Sequence, residues 1–566
     1  MKALHYALSG LVGLAWLACH DPLSVTNENN PDRFSALKTP NELENFLGFG
    51  YTVAHSGTLG GAAIPGCTEP CLDGLQAQLQ TMGMENVSGL ANFAMGPRSA
   101  IPRNAIDNTP GSQGNVGNYR DFVVENRAAR MATLALAKIN ELGTLSTPAR
   151  TARARAFARF VQGVALGNLA LAYDSAAILT ETNTTQAIVP LAPYGTVMSA
   201  ALGYLDSAIA ILGGAVPAGP ASDWFPPPSG TWVNGVNLTA GLLKQMAYSY
   251  KARFRAGVAR SPAERGAVTW SRVIIEGDSG IQTDLNVTMA PSQGWDVSWV
   301  AQHYATGSAN WHQMSQFVMG MADTSGAYDA WLGTAPASRA TFVVVSPDKR
   351  FPQGTSRALQ IADTQPASFA STRYYRNRPV GEDAPGDPLN ISMYDYRRSF
   401  GYFSNSRNGP YPLMTRAEIR LLAAEGNLRA GNVAQAALRI DSSRVAKGRL
   451  PALAGAVADT LSAVPGLGAC VPRVPDAAQS FKKSTCGNIW AALKWEYRME
   501  TAYTGYGMWY FAARGWGDLP EGTAVQWPVP FQEMQVRSEP YYGVGGVGQI
   551  GGSGPGNYGL FKGGVY

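Results

Sequence analysis

The sequence predicts a mainly α-helical protein in which helical hairpins pack against an irregular, loop-rich lobe. The first observation is a series of segments whose apolar residues recur at helical spacing, several of them ending at glycine-containing turns. The second is a stretch of about residues 281–410 that shows little helical period and is rich in Gly, Pro, Ser and aromatic residues. Such long irregular stretches in a compact protein are usually functional loops.

The chain is predicted to begin with a signal peptide over residues 1–18. One positive side chain, Lys2, precedes an apolar run from Tyr6 to Ala18, which is the layout of a secretory leader. The run is shorter than the ~20 apolar residues that a transmembrane helix needs. We expect no later segment to be long and apolar enough to span a bilayer.

Cys19 follows directly after this run. The sequence Trp16-Leu17-Ala18-Cys19 is similar to a bacterial lipobox, in which the cysteine is lipidated and becomes the mature N-terminus. We therefore expect Cys19 to carry a lipid anchor. Acyl chains add membrane affinity at about 0.8 kcal/mol per buried CH₂, so a lipidated cysteine can hold a large domain at a membrane. The alternative is an ordinary secretory leader followed by an incidental cysteine.

Four cysteines remain after Cys19, in two pairs that are close in sequence, Cys67 with Cys71 and Cys470 with Cys486. Because an exported chain meets an oxidising compartment, we predict the bridges Cys67–Cys71 and Cys470–Cys486. A zinc half-site is the alternative for the first pair, although none of the five histidines lies near enough to complete it convincingly.

The charge of the chain argues against nucleic acid as a partner. The net charge is only +5 over 566 residues, and no cluster of Lys and Arg forms a tract. Charged residues make up 15% of the chain, against about 25% in a typical domain. The 63 glycines and 36 prolines indicate long loops.

The helical scaffold is predicted over about residues 119–276 and 411–505. Ser146 or Thr147 can cap the start of its second helix, and the small residues Gly163 and Gly167 would let another helix approach closely. A tail over residues 541–566 is Gly-rich and predicted to be irregular. The predicted helices are Tyr119–Leu142, Ala149–Leu179, Gly195–Leu212, Leu238–Ala259, Ala263–Glu276, Arg416–Ala430, Val433–Lys447 and Asn488–Thr504.

No motif predicts a catalytic site. Residues Gly277–Gly280 copy the Gly-Asp-Ser-Gly around the nucleophile of trypsin-like proteases, and His55 lies in a faintly similar stretch. A triad needs a β-barrel core to place it, whereas this motif follows the predicted helix Ala263–Glu276, so we interpret Gly277 as a C-cap. The dinucleotide-like spacing at Gly546–Gly551 falls in the Gly-rich tail, where no strand precedes it and no helix follows.

Paired carboxylates are predicted to be structural. Glu496 and Glu500 lie one turn apart on a helix with Arg498 nearby, so we interpret them as ion-pair partners rather than as the acid and base of a glycosidase. Glu425, in the interior of an Ala-rich helix, is likewise predicted to pair with an arginine. We predict no catalytic residue, no metal site and no cofactor.

The aromatic residues of the middle loops are the candidate ligand-binding site. Trp295, Trp299, Tyr304 and Trp311 fall close together in the sequence. Sugar rings have an apolar C–H face that stacks on flat aromatic rings, and Trp and Tyr supply contact area at little entropic cost. The alternative is that these rings fill the core of the irregular lobe.

Three stretches resemble the SusD/RagB family of outer-membrane nutrient-binding lipoproteins. The first is Cys19–Pro31, in which the cysteine is followed by Leu-Ser-Val and an Asn/Pro turn. The second is Tyr411–Leu453, which holds an Ala-Glu-rich helix, a Gly-Asn turn and a second helix. The third is Ala492–Met534, which departs from the family's closing signature at Trp509 and Ala512. Its matches to that signature are Glu496, Glu500, Gly507, Arg514, Pro528, Pro530 and Glu533.

The resemblance implies a SusD-like fold of TPR-like helix pairs packed against an irregular lobe, in a single domain over residues 19–566. It implies a protein that is lipid-anchored at the outer membrane, faces outward and does no chemistry on its ligand. Such a protein binds a glycan or peptide and passes it to a SusC-like TonB-dependent transporter barrel.

The resemblance also implies that an early loop with Asn92 and Arg98 forms part of the pocket; a solvated surface loop is the alternative. Two other functions stay open. One is a secreted glycan hydrolase with an unrecognised site, and the other is a helical scaffold that binds only protein.

Overall fold

The structure is a computed structural model that describes residues 37–60, 74–88, 98–112, 114–183, 188–214, 232–304, 313–364, 366, 368–382 and 391–566. The predicted signal peptide and Cys19, Cys67, Cys71, Asn92 and Trp311 lie outside the described residues. Lipidation of Cys19, the bridge between Cys67 and Cys71 and ligand contacts by Asn92 and Trp311 therefore stay predictions.

The described chain is mainly helical, which confirms the predicted fold class. Its short strands pair two by two in antiparallel fashion: β1 with β5, β2 with β3, β4 with β8, β6 with β7 and β9 with β10. The helices are α1 (Pro40–Leu59), α2 (Leu75–Met82), α3 (Asn115–Leu142), α4 (Pro148–Ala172), α5 (Tyr194–Gly213), α6 (Ala240–Gly257), α7 (Pro262–Ala267), α8 (Trp270–Ser279), α9 (Trp299–Tyr304), α10 (Gln316–Gly320), α11 (Ala327–Gly333), α12 (Arg357–Ala362), α13 (Phe400–Ser404), α14 (Arg416–Arg429), α15 (Val433–Arg444), α16 (Ile489–Thr501), α17 (Met508–Trp516) and α18 (Phe531–Val536). The strands are β1 (Asn86–Val87), β2 (Ser175–Ala177), β3 (Leu191–Pro193), β4 (Leu285–Met289), β5 (Gln313–Met314), β6 (Tyr375–Asn377), β7 (Tyr394–Tyr396), β8 (Gly409–Met414), β9 (Arg473–Pro475) and β10 (Ser484–Cys486).

Residues Met1–Glu44 and Asn45–Tyr566 form separate compact units. In the described part of the first unit, Thr39 and Glu42 form a capping box at the start of α1. The hydroxyl of Thr39 accepts a hydrogen bond from the backbone N–H of Glu42 at 3.2 Å, and the Glu42 carboxylate accepts one from the backbone N–H of Thr39 at 2.9 Å. Each side chain thereby satisfies a backbone donor that the helix itself leaves unpaired.

The hairpin of α3 and α4 begins the predicted scaffold. Thr147 caps α4, because its hydroxyl accepts a hydrogen bond from a backbone N–H three residues later at 3.1 Å. A Cβ atom on Gly163 would lie 2.7 Å from Leu205 of α5, and one on Gly167 would lie 2.1 Å from Phe254 of α6. These two glycines therefore allow the close helix approach that the sequence predicts.

Two predicted helices differ from the structure. The helix predicted over Ala149–Leu179 ends at Ala172, because the chain then extends into β2 and pairs with β3. The helix predicted over Ala263–Glu276 is divided into α7 and α8, which are separated by Val268 and Thr269.

Gly277 is not the C-cap that the sequence analysis predicts. It lies inside α8, whose C-cap is Gly280. A Cβ atom on Gly277 would lie 3.2 Å from both the carbonyl oxygen of Ile419 and the Cβ of Ala423. Glycine is needed here because α14 packs closely against this point of α8.

The helix α5 corrects the expectation that no later segment could span a membrane. By length and composition it is apolar enough to do so, with a mean hydropathy of 1.4, although 39% of that window is buried. Val197 and Leu205 are buried, and α5 packs against α4 and α6. Ser199 and Asp206 are exposed on its other side, where the Asp206 carboxylate forms a 2.5 Å ion pair with Lys251 of α6. Because a core helix passes the same test, α5 is weak evidence for a membrane span.

The second part of the scaffold contains the predicted hairpin of α14 and α15, with a turn at Gly431, whose φ is +75°. Glu425 in the interior of α14 pairs with Arg265 at 2.7 Å and with Arg429 at 2.9 Å, as predicted.

Glu496 and Glu500 of α16 also lie beside an arginine, but the partner is Arg350 rather than Arg498. The distances from the Arg350 guanidinium to their carboxylates are 2.7 and 3.7 Å. Arg498 instead pairs with Asp518 at 2.6 Å. The interpretation of the two glutamates as ion-pair partners is therefore correct, and the expected arginine is wrong.

The lobe and the tail contain more packed structure than their composition suggests. The lobe contains short helices and strands. Its strand β4 pairs with β8, which lies at the start of the second scaffold segment. The tail is irregular, as predicted, but Val544 and Leu560 within it are buried. Cys470 and Cys486 form a disulfide, the pairing that the sequence analysis predicts.

Candidate functional site

The strands β1 and β5, which flank the two predicted pocket loops in the sequence, pair with each other. In the register of β1 and β5, Val87 at the end of β1 lies opposite Gln313 at the beginning of β5. The segment that follows β1 contains Asn92, and the segment that precedes β5 contains Trp311. Antiparallel pairing thus joins two regions that are more than 200 residues apart in the sequence.

Two hydrogen-bonded pairs of buried polar side chains involve α2. One joins Gln78 to Arg98 and the other joins Gln80 to Asn86 of β1, and we call these four residues together the amide cluster. The Arg98 Nε donates to Gln78 Oε1 at 3.1 Å, and the Asn86 Nδ2 donates to Gln80 Oε1 at 3.3 Å. The whole of α2 is buried, so its glutamines face protein rather than bulk solvent.

Several polar atoms of this region have no hydrogen-bond partner in the described part of the chain. They are Gln80 Nε2 and Arg98 Nη2, and both amide atoms of Gln316, which begins α10 directly after β5. A buried donor left unpaired costs about 1–3 kcal/mol, so such groups need an explanation, and a bound ligand supplies one. Amide and guanidinium groups are suited to bind hydroxyl and carbonyl oxygens.

Trp299 lies on an aromatic stack next to the amide cluster. Its ring centroid is 4.5 Å from that of Tyr503, which is in turn 4.7 Å from Tyr396. The Tyr503 hydroxyl accepts a hydrogen bond from Asn86 Nδ2 at 3.3 Å. Tyr503 also has a φ of +56°, a left-handed conformation that is unusual for an aromatic residue and often marks a functional site.

Glu85 and Arg98 determine the charge of the region. Burial raises the pKa of Glu85 to about 8, although the N–H of Tyr503 donates to its carboxylate at 2.5 Å and opposes the shift. Burial also lowers the pKa of Arg98 to about 10. At neutral pH the region therefore holds a protonated carboxyl group and a guanidinium cation, two groups that donate hydrogen bonds.

The structure places Trp295 and Tyr304 elsewhere. Trp295 is buried with its ring 4.8 Å from His55. Tyr304 is buried against the ring of Phe400 at 5.3 Å, and its hydroxyl donates to the Tyr396 carbonyl at 2.5 Å. Trp299 is buried to the same degree as Trp295 and Tyr304, so all three positions fit the alternative in which the rings fill the core of the lobe. Ligand contacts by these residues and by Arg98 stay predictions.

The described contacts of the protease-like motif are structural. His55 Nε2 hydrogen-bonds the carbonyl oxygen of Asp296 at 2.8 Å, and burial lowers the pKa of His55 to about 4. Asp278 pairs with Arg439 at 2.7 Å. In the ranges that the structure describes, no group of three or more His, Cys, Asp or Glu residues could hold a metal ion.

Sequence reasoning missed Gln78, Gln80 and Tyr503. Glutamine on a short helix carries no pattern that distinguishes a buried from an exposed position. The signal for Tyr503 was also weak, since only its position two residues before Gly505 hints at an unusual turn.

Comparison with known proteins supports the fold. No protein-family model matches the sequence, and no curated protein is similar to it at a significant level. A SusD superfamily protein of Bacteroides vulgatus ATCC 8482 is 12% identical with a TM-score of 0.52, over 88% of this chain and 90% of that one. A SusD homolog of Parabacteroides distasonis ATCC 8503 is 14% identical with a TM-score of 0.53, over 86% of this chain and 93% of that one. The chain therefore has the SusD-like fold that the resemblance implies.

Proposed function

We propose that this chain is a surface-exposed lipoprotein of the SusD/RagB type that binds an oligosaccharide or peptide nutrient and delivers it to a TonB-dependent outer-membrane transporter. The SusD-like fold, shared over most of the chain with the two solved structures, supports this function. The predicted lipobox at Cys19 and the leader before it support export and anchoring.

The observation that carries the proposal is the pairing of β1 with β5, the strands that flank the two predicted loops in the sequence. Beside it, Asn86 hydrogen-bonds both Gln80, which has an unpaired buried donor, and Tyr503, whose ring packs on Trp299. Sugar recognition needs both an aromatic surface and forked polar groups.

Ligand binding is tested with the purified chain lacking residues 1–19. We expect it to bind oligosaccharides on a glycan array, or extended peptides on a matched peptide array, without turnover. The substitution Gln80→Ala should weaken the binding of the best ligand about tenfold or more, because one hydrogen bond to a buried group contributes ~1–3 kcal/mol. Gln535→Ala, an exposed residue outside the site, is the matched control and should leave binding unchanged.

Each result decides between the three functions. Binding that is lost in Gln80→Ala supports the proposal, and turnover of a bound glycan supports the secreted hydrolase instead. If neither array shows binding while the chain is folded, the protein-binding scaffold is favoured.

Anchoring and delivery need a separate experiment in cells. Labelled palmitate should enter the native chain and not Cys19→Ala, and the variant should leave the membrane fraction. The native chain should copurify with a large barrel transporter after mild detergent extraction. A chain that takes up no label and keeps residues 1–18 would overturn the anchoring claim.

A further inference from the structure

A second cleft, with a volume of about 360 Å³, shares no lining residue with the amide cluster. We call it the arginine cleft. The residues that determine its chemistry are Tyr194, Arg260, Glu264, Arg514, Gln526 and Asn557. Two of them, Arg260 and Arg514, are at most 4% exposed.

The two arginines are held by carbonyl groups rather than by carboxylates. Arg260 Nη2 donates to the carbonyls of Ala170 and Tyr173 at the C-terminal end of α4, at 2.9 and 2.8 Å. Arg514 Nη2 donates to the carbonyl of Gly257 at the end of α6, at 2.8 Å. The negative end of a helix dipole stabilises a cation, which explains how each charge is tolerated in the empty cleft.

Each guanidinium group is only partly hydrogen-bonded within the described chain. The Nε atoms of Arg260 and Arg514 are buried and have no hydrogen-bond partner among the residues described. In the same part of the chain, neither arginine forms an ion pair with a carboxylate within 4.0 Å. Asp174 and Glu264 stabilise these two cations without direct ion-pair contact, so an anion that enters the cleft would add the contact that they lack.

The carboxylates near the cleft leave its floor positively charged. Glu264 is exposed at the rim, where its carboxylate accepts hydrogen bonds from the Tyr194 hydroxyl at 3.1 Å and from the backbone N–H of Arg260 at 3.0 Å. Asp174 accepts a hydrogen bond from the Tyr542 hydroxyl at 2.7 Å. Burial, together with the charge of Arg514, lowers the pKa of Arg260 only to about 9, so it stays protonated at neutral pH.

The geometry around Arg260 favours a planar oxyanion. Its guanidinium lies 3.6 Å from the ring centroid of Tyr194, and stacking of this kind fixes the plane of the guanidinium group. A guanidinium fork matches the two oxygens of a carboxylate, and a sulfate group presents oxygens at a similar spacing.

We propose that the arginine cleft binds the anionic group of a small acidic ligand, either the carboxylate of a uronic acid or the sulfate of a sulfated sugar. This site is separate from the amide cluster, and the choice of a sugar as the carrier of the anionic group rests on the function proposed above. Arg260 and Arg514 bind the oxyanion, and Tyr194 keeps the Arg260 guanidinium in place. Glu264 opposes the binding of a second negative charge at the rim.

The test uses the full chain and three probes of similar size: galacturonate, galactose 6-sulfate and galactose. By isothermal titration at low salt, we expect at least one acidic probe to bind at least about tenfold more tightly than galactose, a difference that corresponds to ~1.4 kcal/mol. Added salt should weaken this binding, because screening reduces the attraction. Binding of only galacturonate or only galactose 6-sulfate identifies the source of the anionic group.

Variants separate the arginine cleft from other sites. Arg260 Nη1 donates to Gln526 Oε1 at 2.5 Å, so Gln526→Glu places a carboxylate on this guanidinium without removing a buried charge. We expect it to keep or raise the melting temperature and to weaken binding of the acidic probe at least about tenfold. Gln535→Glu makes the same change in net charge at an exposed residue outside the cleft and should leave binding unchanged. The proposal is wrong if neither acidic probe binds, if galactose binds equally well, or if Gln526→Glu leaves acidic binding intact.

Discussion

Replacing Arg350 by methionine should destabilise the chain more than any surface substitution. The Arg350 guanidinium is fully buried and donates to Asp348 at 2.7 Å and to Glu496 at 2.7 and 2.9 Å. The Glu500 carboxylate lies 3.7 Å away and accepts a hydrogen bond from Tyr374. Arg350→Met therefore leaves three buried carboxylates without their common cation.

The expected loss of unfolding free energy is about 4 kcal/mol. Removing one partner of a buried ion pair costs ~3–5 kcal/mol, and this value is a large part of a domain stability of ~5–15 kcal/mol. The field of Arg444 also lowers the pKa of Glu496, and it remains in the variant. For this reason we expect the loss of unfolding free energy to be smaller than the summed contributions of the lost hydrogen bonds.

The loss should depend on pH. Burial raises the pKa of Glu496 and Arg350 opposes this shift, so the variant raises it further. A carboxyl group whose pKa is raised on folding gives stability that is present below its unfolded pKa, ~4.3, and lost as the pH rises through the folded pKa. The difference between wild type and Arg350→Met should thus be smaller at pH 5 than at pH 8.

Urea unfolding followed by tryptophan fluorescence measures both effects. Arg439→Met is the matched control, because Arg439 makes two hydrogen bonds to Asp278 at 2.7 and 3.0 Å but at the surface. It should cost at most ~1 kcal/mol and show no pH dependence. If Arg350→Met and Arg439→Met lose similar amounts, or if Arg350→Met loses more at pH 5 than at pH 8, the reasoning about buried charge is refuted.

Two further predictions concern packing and a buried acid. Gly167→Ala should destabilise the chain by ~1–3 kcal/mol, because its Cβ would lie 2.1 Å from Phe254. Gly203→Ala on α5 meets no atom within 4 Å and should stabilise the chain by up to ~1 kcal/mol. Equal melting temperatures for the two variants would contradict this prediction. Because the pKa of Glu85 is raised from 4.5 to about 8, the wild type should lose stability as the pH rises between these values. Glu85→Gln should remove this decrease of the unfolding free energy with pH, measured by urea unfolding at pH 5, 7 and 9. An unchanged pH dependence would show that Glu85 titrates normally.

Local sequence signals predicted the long helices well and the short elements poorly. The hairpin of α14 and α15 was predicted because apolar periodicity and the Gly-Asn turn agree with each other. The helix α2 alternates Leu or Ala with Gln. Nothing in this pattern distinguishes its buried glutamines from exposed ones. The division between α7 and α8 is stabilised by a local contact, in which Trp270 of α8 donates its indole N–H to the carbonyl of Arg265 in α7 at 2.9 Å.

Parts of the candidate site could be predicted for a similar reason. Trp299 was chosen because aromatic residues in long loops often contact ligands, and Arg98 was chosen because the resemblance implies that its loop forms part of the pocket. Ligand contacts by both residues stay predictions. Trp295 fits the same pattern but packs on His55, because composition does not show which side of the lobe a residue faces. The pairing of β1 with β5 determines which parts of the chain meet. A contact across more than 200 residues leaves no local signal in the sequence.

For the buried charged residues, the sequence predicted that a partner is needed but not which residue it is. A glutamate in the interior of an Ala-rich helix must find a partner, because an unpaired buried carboxylate is too costly, so the sequence alone predicted a pair for Glu425. Its partner Arg265 lies 160 residues away, and the pair between Arg253 and Glu418 joins α6 to α14 over 165 residues. Burying such pairs adds little net stability compared with apolar contacts, but a wrong helix register would leave each charge unpaired. A chain with only 15% charged residues thus uses several of them inside the scaffold, where they make incorrect packing of α6, α7 and α14 unfavourable.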